Sequence, residues 1–298
     1  MAITRFDNID GCHIESEIPG ELIHVDCVSH IYPDGSKGIH KMCFKVYENE
    51  IVVLCGPNGS GKSTLIEHLN GLLIPSTGKI AVMGKNIDSG RPDIWKHVGI
   101  VFQRSEDQLF APTVLDDVMF GPLNMGMSIE DAKKAALDAL NAVGAGHLEQ
   151  KMPNYLSGGQ KRLISIAGIL SMKPRIIALD EPTSDLDPYH SDIIENIIIS
   201  LKNVYHISVV IATHDLDLAA RIADRICIVR GGSIIAEGPP SDIFYDEGLL
   251  REAGLKQPKV VRIYNELEEK AKLGCNKKPV RIDELIDCIS SSLKFCRQ

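Results

Sequence analysis

Nine consecutive residues, Gly56, Pro57, Asn58, Gly59, Ser60, Gly61, Lys62, Ser63 and Thr64, carry the spacing GxxxxGK[ST]. Glycines in such a loop let the backbone take positive φ and come close to a phosphate. The loop's N–H groups point inward, and the N-terminus of a following helix adds partial positive charge. Lys62 can bridge the β- and γ-phosphates of a nucleoside triphosphate, the Ser63 hydroxyl can hold a magnesium ion, and Thr64 can contact the α-phosphate region. The competing reading is a glycine-rich turn that happens to hold a lysine. The flanks disfavour it, because the apolar run Ile51–Cys55 precedes the loop and a helical pattern starts near Lys62. Alone, the loop specifies an NTPase and nothing finer.

A second constellation lies at IIALDE, residues 176–181. An apolar strand delivers Asp180 and Glu181 at its C-terminal end, where ligands sit in open parallel sheets. Asp180 suits a magnesium contact, direct or through water. Glu181 suits polarising an attacking water as general base. Between the two motifs, residues 156–160 read LSGGQ. Ser157, Gly158, Gly159 and Gln160 stand where a helix should start. They offer a hydroxyl, close backbone approach and a helix N-terminus, all suited to a γ-phosphate.

These groups need elements to hold them. Strand patterns run from Glu21, over Ile39–Val46 and over Ile51–Cys55, the last a continuous apolar run expected of a strand buried on both faces. Pro33-Asp34-Gly35 is a turn signal. Helices are expected at Val114–Met119, Ile129–Val143 and Gln160–Leu170, with Asp116, Asp117, Ser128 and Ser157 as start signals. This is a helical insert, about residues 105–170, within an α/β frame. Strands return at Ile176–Leu179, Ser208–Ala212 and Ile226–Val229, and Gly231-Gly232 turns the chain into Ser233–Ala236. Residues 1–20 read as an irregular leader. Residues 256–298 read as an appended module with helices about Val260–Lys272 and Ile282–Leu293.

With 298 residues, 44% apolar and 24% charged, the chain has material for one α/β domain and an appendage. The net charge of -8 lacks the basic footprint of a nucleic-acid binder. Eight cysteines at 12, 27, 43, 55, 227, 275, 288 and 296 form no CxxC pair, so they are expected to be free, mostly buried thiols of a reducing cytosol. No secretory signal is read, and no stretch approaches the ~20 apolar residues of a membrane span.

The order of the phosphate loop, LSGGQ and the acidic pair resembles that of the ABC ATPase family, over about residues 21–250. The resemblance implies an α/β fold: a P-loop NTPase core of the ABC ATPase type with an antiparallel β subdomain, a helical subdomain insert and a small C-terminal helical appendage. It implies ATP and Mg²⁺ as ligands. Tyr32 resembles the aromatic that stacks on adenine, with a core aromatic as the competing reading. Gln103, after Gly99-Ile100-Val101-Phe102, resembles the glutamine that senses Mg²⁺ and the transporter. His214 resembles the histidine that contacts the γ-phosphate and holds Glu181. Catalysis is thereby assigned to Glu181, His214, Gln103 and Lys62, and the metal to Ser63, Gln103 and Asp180. The Ser157-Gly158-Gly159-Gln160 turn is implied to act on ATP held by a second ATPase subunit, a copy or a paralogue. Ser184-Asp185-Leu186-Asp187 resembles the loop that crosses this dimer interface, though the second position is usually small, and Asp185 puts communication between the sites in doubt.

Ser105–Phe110 (SEDQLF), Gly121-Pro122-Leu123-Asn124, Ala167-Gly168-Ile169-Leu170 and the tail from Gly238-Pro239-Pro240 to Leu285 resemble the ATPases of energy-coupling-factor importers. That branch implies uptake of a metal ion (cobalt or nickel) or a vitamin. It also implies a transmembrane coupling protein and a solute-binding membrane protein as partners, and residence on the cytoplasmic face of the cell membrane. The ATPase of a conventional importer or exporter is the second reading. A soluble ABC ATPase is the third; it would call for a long coiled coil or a second cassette, and the sequence offers neither.

Overall fold

In a computed structural model, residues 3–5, 20–87, 93–272, 275 and 277–295 are described, with side chains in the last helix described as far as 292. Most of the expected leader, 1–20, lies outside the described residues. The strands are β1 (Thr4–Arg5), β2 (Glu21–Ile31), β3 (Lys37–Tyr47), β4 (Ile51–Cys55), β5 (Thr77–Val82), β6 (Lys85–Asn86), β7 (Val98–Val101), β8 (Ile176–Asp180), β9 (Ser208–Thr213), β10 (Arg225–Arg230) and β11 (Ser233–Gly238). The helices are α1 (Lys62–Leu69), α2 (Val114–Asn124), α3 (Ile129–Ala142), α4 (Gly158–Leu170), α5 (Pro188–Asn203), α6 (Leu216–Ile222), α7 (Pro240–Ile243), α8 (Glu247–Glu252), α9 (Lys259–Ala271) and α10 (Ile282–Phe295).

Seven strands form one sheet in the order β1-β11-β10-β4-β9-β8-β7. From β10 to β7 the pairing is parallel, and β11 and β1 close one edge antiparallel. The β1 pairing involves only Thr4 and Arg5, too short for a sequence period to announce. A second sheet, β3-β2-β5-β6, is antiparallel. Strands β4, β8 and β9 are buried at every residue, as their apolar runs require, with polar Asp180, Ser208 and Thr213 only at strand ends. Along β4 the side chains alternate between two cores. Ile51, Val53 and Cys55 join the cluster that includes the helical insert, while Val52 and Leu54 join the one under the second sheet.

Between β7 and β8 the chain folds as α2, α3 and α4. Ser128 and Ser157 cap α3 and α4 as expected, but α2 is capped by Thr113, whose hydroxyl oxygen accepts from Asp116 N–H. Asp117 is no cap; its carboxylate accepts from the N–H groups of Phe110 and Ala111 and holds the preceding loop. Helix α2 also runs five residues past Met119, through Pro122. Proline removes the donor that would serve the carbonyl four residues back. Here that carbonyl, Val118 O, accepts from the Ser171 hydroxyl at 3.0 Å, so tertiary contact replaces the missing bond.

The cysteines correct the expectation of free thiols throughout. Cys55 and Cys227 are free and buried, but Cys275 and Cys288 form a disulfide with Cα atoms 5.6 Å apart, and Cys43 is disulfide-bonded as well. The pairing is set by the chain folding back between α9 and α10, which brings Cys275 against a position 13 residues on; no local spacing motif records it.

Candidate active site

Helix α1 starts directly at the phosphate loop. Its N-cap is Gly61 at φ 103°, a left-handed conformation that favours glycine. A Cβ there would lie 2.7 Å from the Gly38 carbonyl oxygen, so β3 closes on the loop only because residue 61 is bare. The Lys62 ammonium is buried and donates to the carbonyls of Gly56 and Pro57 at 2.7 and 3.1 Å. Burial pulls its pKa down, while Glu181 and Asp180 act in the opposite sense.

Asp180, the last residue of β8, is buried, and the Ser63 side chain hydrogen-bonds to its carboxylate. Burial pushes the Asp180 pKa up; the Ser63 hydrogen bond opposes this and neighbouring Glu181 adds to it. A buried carboxylate bonded to a hydroxyl and crowded by a second carboxylate gains from a hard cation with oxygen ligands, so the pair fits magnesium.

Glu181 follows at φ 45°, a conformation uncommon for a residue with a side chain. Its backbone N–H donates to Ala212 O at 2.8 Å, pinning it to β9. Its carboxylate is held from one side. Thr213 Oγ1 donates to Oε2 at 2.9 Å, His214 N–H donates to Oε1 at 3.1 Å, and His214 Nδ1 stands 2.8 Å from the same oxygen. A carboxylate only accepts when ionised, so His214 Nδ1 carries the hydrogen in this arrangement. The imidazole itself is largely exposed, at 58%. The structure thus brings Glu181 and His214 together from the ends of adjacent strands β8 and β9. Thr213 was not singled out in the sequence, though its place beside His214 is the signal.

Gln103 follows β7 with its side chain exposed. Its main chain is gripped by a residue that sequence reasoning passed over. Arg162, buried on α4, donates to Phe102 O at 2.6 Å and Gln103 O at 2.5 Å. Gln108 adds two bonds, to Phe102 N–H and Ile100 O. Ser157 and Gln160 form a reciprocal capping box at the start of α4. Ser157 and Gly158 are exposed there, whereas Gly159 is buried under the His190 ring, and a Cβ at 159 would fall 2.3 Å from it. Asp185 lies exposed at φ 62° in the loop between β8 and α5. Tyr32 follows β2, half-buried, with its hydroxyl 2.9 Å from Thr64 Oγ1.

Two clefts border these groups. One, of about 650 Å³, has Pro57, Asn58 and His214 on one side and Lys256 and Arg262 of the tail on the other. The other, of about 510 Å³, lies between Trp95, in the turn before β7, and the helical insert, lined further by Phe110, Phe120, Ile169 and Met172. No described helix is long and apolar enough to cross a membrane.

Residues 39–184 match the sequence profile of the ABC transporter family. The chain is 44% identical over 250 residues, 83% of its length, to the energy-coupling factor transporter ATP-binding protein EcfA of Methanococcus maripaludis, 90% of which is covered. It is 44% identical over 242 residues to the EcfA of Methanocaldococcus jannaschii, covering 80% of this chain and 86% of that one. Among solved structures it resembles cbiO1 from Clostridium perfringens, part of the ABC transporter complex cbiONQ, with a TM-score of 0.71 at 34% identity over 84% of this chain and 99% of that one. It also resembles a dimeric ATP-binding cassette in a post-hydrolysis state with ADP and Pi, with a TM-score of 0.66 at 28% identity over 74% of this chain and 99% of that one. Likeness this extensive, in sequence and in fold at once, makes the chain a member of the ABC transporter family.

Proposed function

We propose that this chain is the ATP-hydrolysing subunit that powers an energy-coupling-factor type of importer, with a metal ion such as cobalt or nickel, or a vitamin, as the solute. The observation that carries the hydrolytic reading is Glu181, held by Thr213 and His214 at the end of β8. Oε1 accepts two bonds from His214, but Oε2 accepts one, from Thr213, and keeps a lone pair with which Glu181 can take a proton from a water aimed at the γ-phosphate. His214 orders Glu181 and presents its free ring edge to the same space. Lys62 leaves the loop carbonyls for the β- and γ-phosphates, and Tyr32 takes the base. Ser63 and Asp180, with the Gln103 side chain, would hold magnesium, which when bound neutralises charge on the phosphates.

The exposed Ser157-Gly158 turn, at the N-terminus of a 13-residue helix, suits a γ-phosphate presented by a second subunit. Two chains, identical or paralogous, therefore pair head to tail. Residues 21–255 form the ATPase unit, and residues 256–298 contribute to pairing. The cleft beside the insert of about 105–170 receives a cytoplasmic helix of a transmembrane coupling protein, which works with a solute-binding membrane protein. Phe110 and Phe120 suit this role, being edge to face at 4.8 Å and exposed at 66% and 50%. The relatives named EcfA and the cbiO1 neighbour support the importer reading. The complex sits on the inner face of the cell membrane, and ATP-driven closing and reopening of the pair moves the bound helix.

Co-purification with membrane proteins encoded beside it, followed by ATP turnover in the presence of candidate solutes, tests this. Turnover stimulated by Co²⁺, Ni²⁺ or a vitamin is expected. Turnover that no solute affects, in a chain that binds no integral membrane partner, would sink the importer reading. Phe120→Glu should abolish co-purification while its thermal unfolding matches wild type.

A further inference from the structure

Tyr32 heads a column of three stacked rings. It meets His30 edge to face, with ring centroids 4.7 Å apart and planes at 78°. His30 meets His68 in the same way, at 4.8 Å and 77°. The column runs inward, from half-buried Tyr32 through buried His30 to His68 on α1, which has no exposed surface. Each histidine is anchored at Nδ1. His30 Nδ1 lies 3.3 Å from Ile74 O, and His68 Nδ1 lies 2.6 Å from Thr64 O. A carbonyl oxygen only accepts, so Nδ1 carries the hydrogen in both rings. Burial depresses the His68 pKa, and the hydrogen bond to Thr64 O opposes the shift.

Thr64 is thereby held from two sides, with its hydroxyl at Tyr32 and its carbonyl at His68. Gly38 makes the room: a Cβ there would fall 2.8 Å from both the Tyr32 ring and the Thr64 methyl. An aliphatic residue would fill the space of His30 without needing a partner for a buried polar group. The histidine instead packs edge to face with the tyrosine and donates from a fixed tautomer to Ile74 O.

We propose that His30 is a positioning residue for nucleotide binding, wedged between Tyr32 and His68 so that the Tyr32 ring is set in advance for stacking on the base of ATP. The proposal rests on the reading of Tyr32 as the base-stacking residue. A ring ordered before the ligand arrives spares the ordering cost on binding. Losing one edge-to-face pair corresponds to a fall in affinity of about three- to tenfold.

Competition binding to the full chain with magnesium, using ATP and inorganic tripolyphosphate as probes, tests it. Tripolyphosphate has the phosphates and no base. His30→Ala should weaken ATP about three- to tenfold and leave tripolyphosphate unchanged. It should raise KM for ATP with kcat within about twofold, the pattern of lost uniform binding. His30→Phe, which keeps an aromatic ring against Tyr32, should recover ATP affinity. ATP binding at wild-type strength in His30→Ala would overturn the proposal. So would an equal loss for both probes, which would mean damage to the phosphate loop itself. Tyr32→Ala separates the two layers. If it leaves ATP affinity intact, the base-stacking reading fails and takes the proposal with it. If it weakens ATP while His30→Ala does not, only the role of His30 is refuted.

Discussion

Glu181 sits at φ 45°, a conformation that costs of order 1–3 kcal/mol and persists only where surroundings over-determine it. The surroundings here are the Ala212 carbonyl, Thr213 and His214. Glu181→Gln keeps the shape and an acceptor oxygen, and loses the basicity. The variant should bind ATP, accumulate as an ATP-bound dimer and turn over about 10²–10⁴-fold more slowly. Single-turnover hydrolysis alongside nucleotide binding measures both halves, and near-normal turnover would remove Glu181 from the role of base. His214→Ala frees Oε1 of its imidazole partner at an exposed position. It should lower kcat about 10²-fold with little change in ATP affinity, and an unchanged kcat would leave His214 structural. The phosphate loop and the acidic pair were legible because each lies in a short, chemically unusual run, whereas His214 was read only through the family resemblance, since a lone histidine at a strand end carries no such signal. Thr213 and Arg162 were not, because their work depends on strands and helices meeting across long stretches of chain; Arg162 reaches Phe102 over 60 residues.

At the scale of elements, alternating and unbroken apolar patterns read true for the buried strands, where side-chain burial dictates the pattern. The ends read less well. Helix α2 continues through Pro122 because Ser171 serves the orphaned carbonyl, a contact absent from any local window. In the tail, apolar spacing announced helices but not which face is covered. Val261 and Val280 join the main core, and Lys259 N–H donates to Asp217 Oδ1 at 2.7 Å, so α9 is moored to the ATPase unit. Ile282 and Ile286, one turn apart on α10, remain exposed at 61% and 55%. With Ile263 of α9, exposed at 50%, these are the apolar side chains that the tail offers for the proposed pairing. Ile282→Glu combined with Ile286→Glu should weaken self-association without nucleotide by tenfold or more, since each buried isoleucine is worth about 1.5–3 kcal/mol. Sedimentation at matched concentrations decides it, and unchanged association would leave the tail as cover for the parent unit.

The whole molecule is two sheets bound into one body. Arg225 of β10 reaches Glu50 and Glu237 at 2.8 Å each and Lys45 O of β3 at 2.7 Å, tying the large sheet to the small one. That frame holds the phosphate loop, Asp180, Glu181 and His214 on one chain, while the Ser157-Gly158 turn is exposed at the start of its own helix. The central claim is that each working site takes its phosphate loop from one chain and that turn from another. Mixing a Lys62→Ala chain with a Ser157→Arg chain, each inactive alone, tests it most directly. Random pairing at equal amounts makes half of the dimers mixed, and each mixed dimer holds one intact composite site of two. ATPase activity should therefore return to about a quarter of wild type. No return of activity, with mixed dimers shown to form, would contradict the claim.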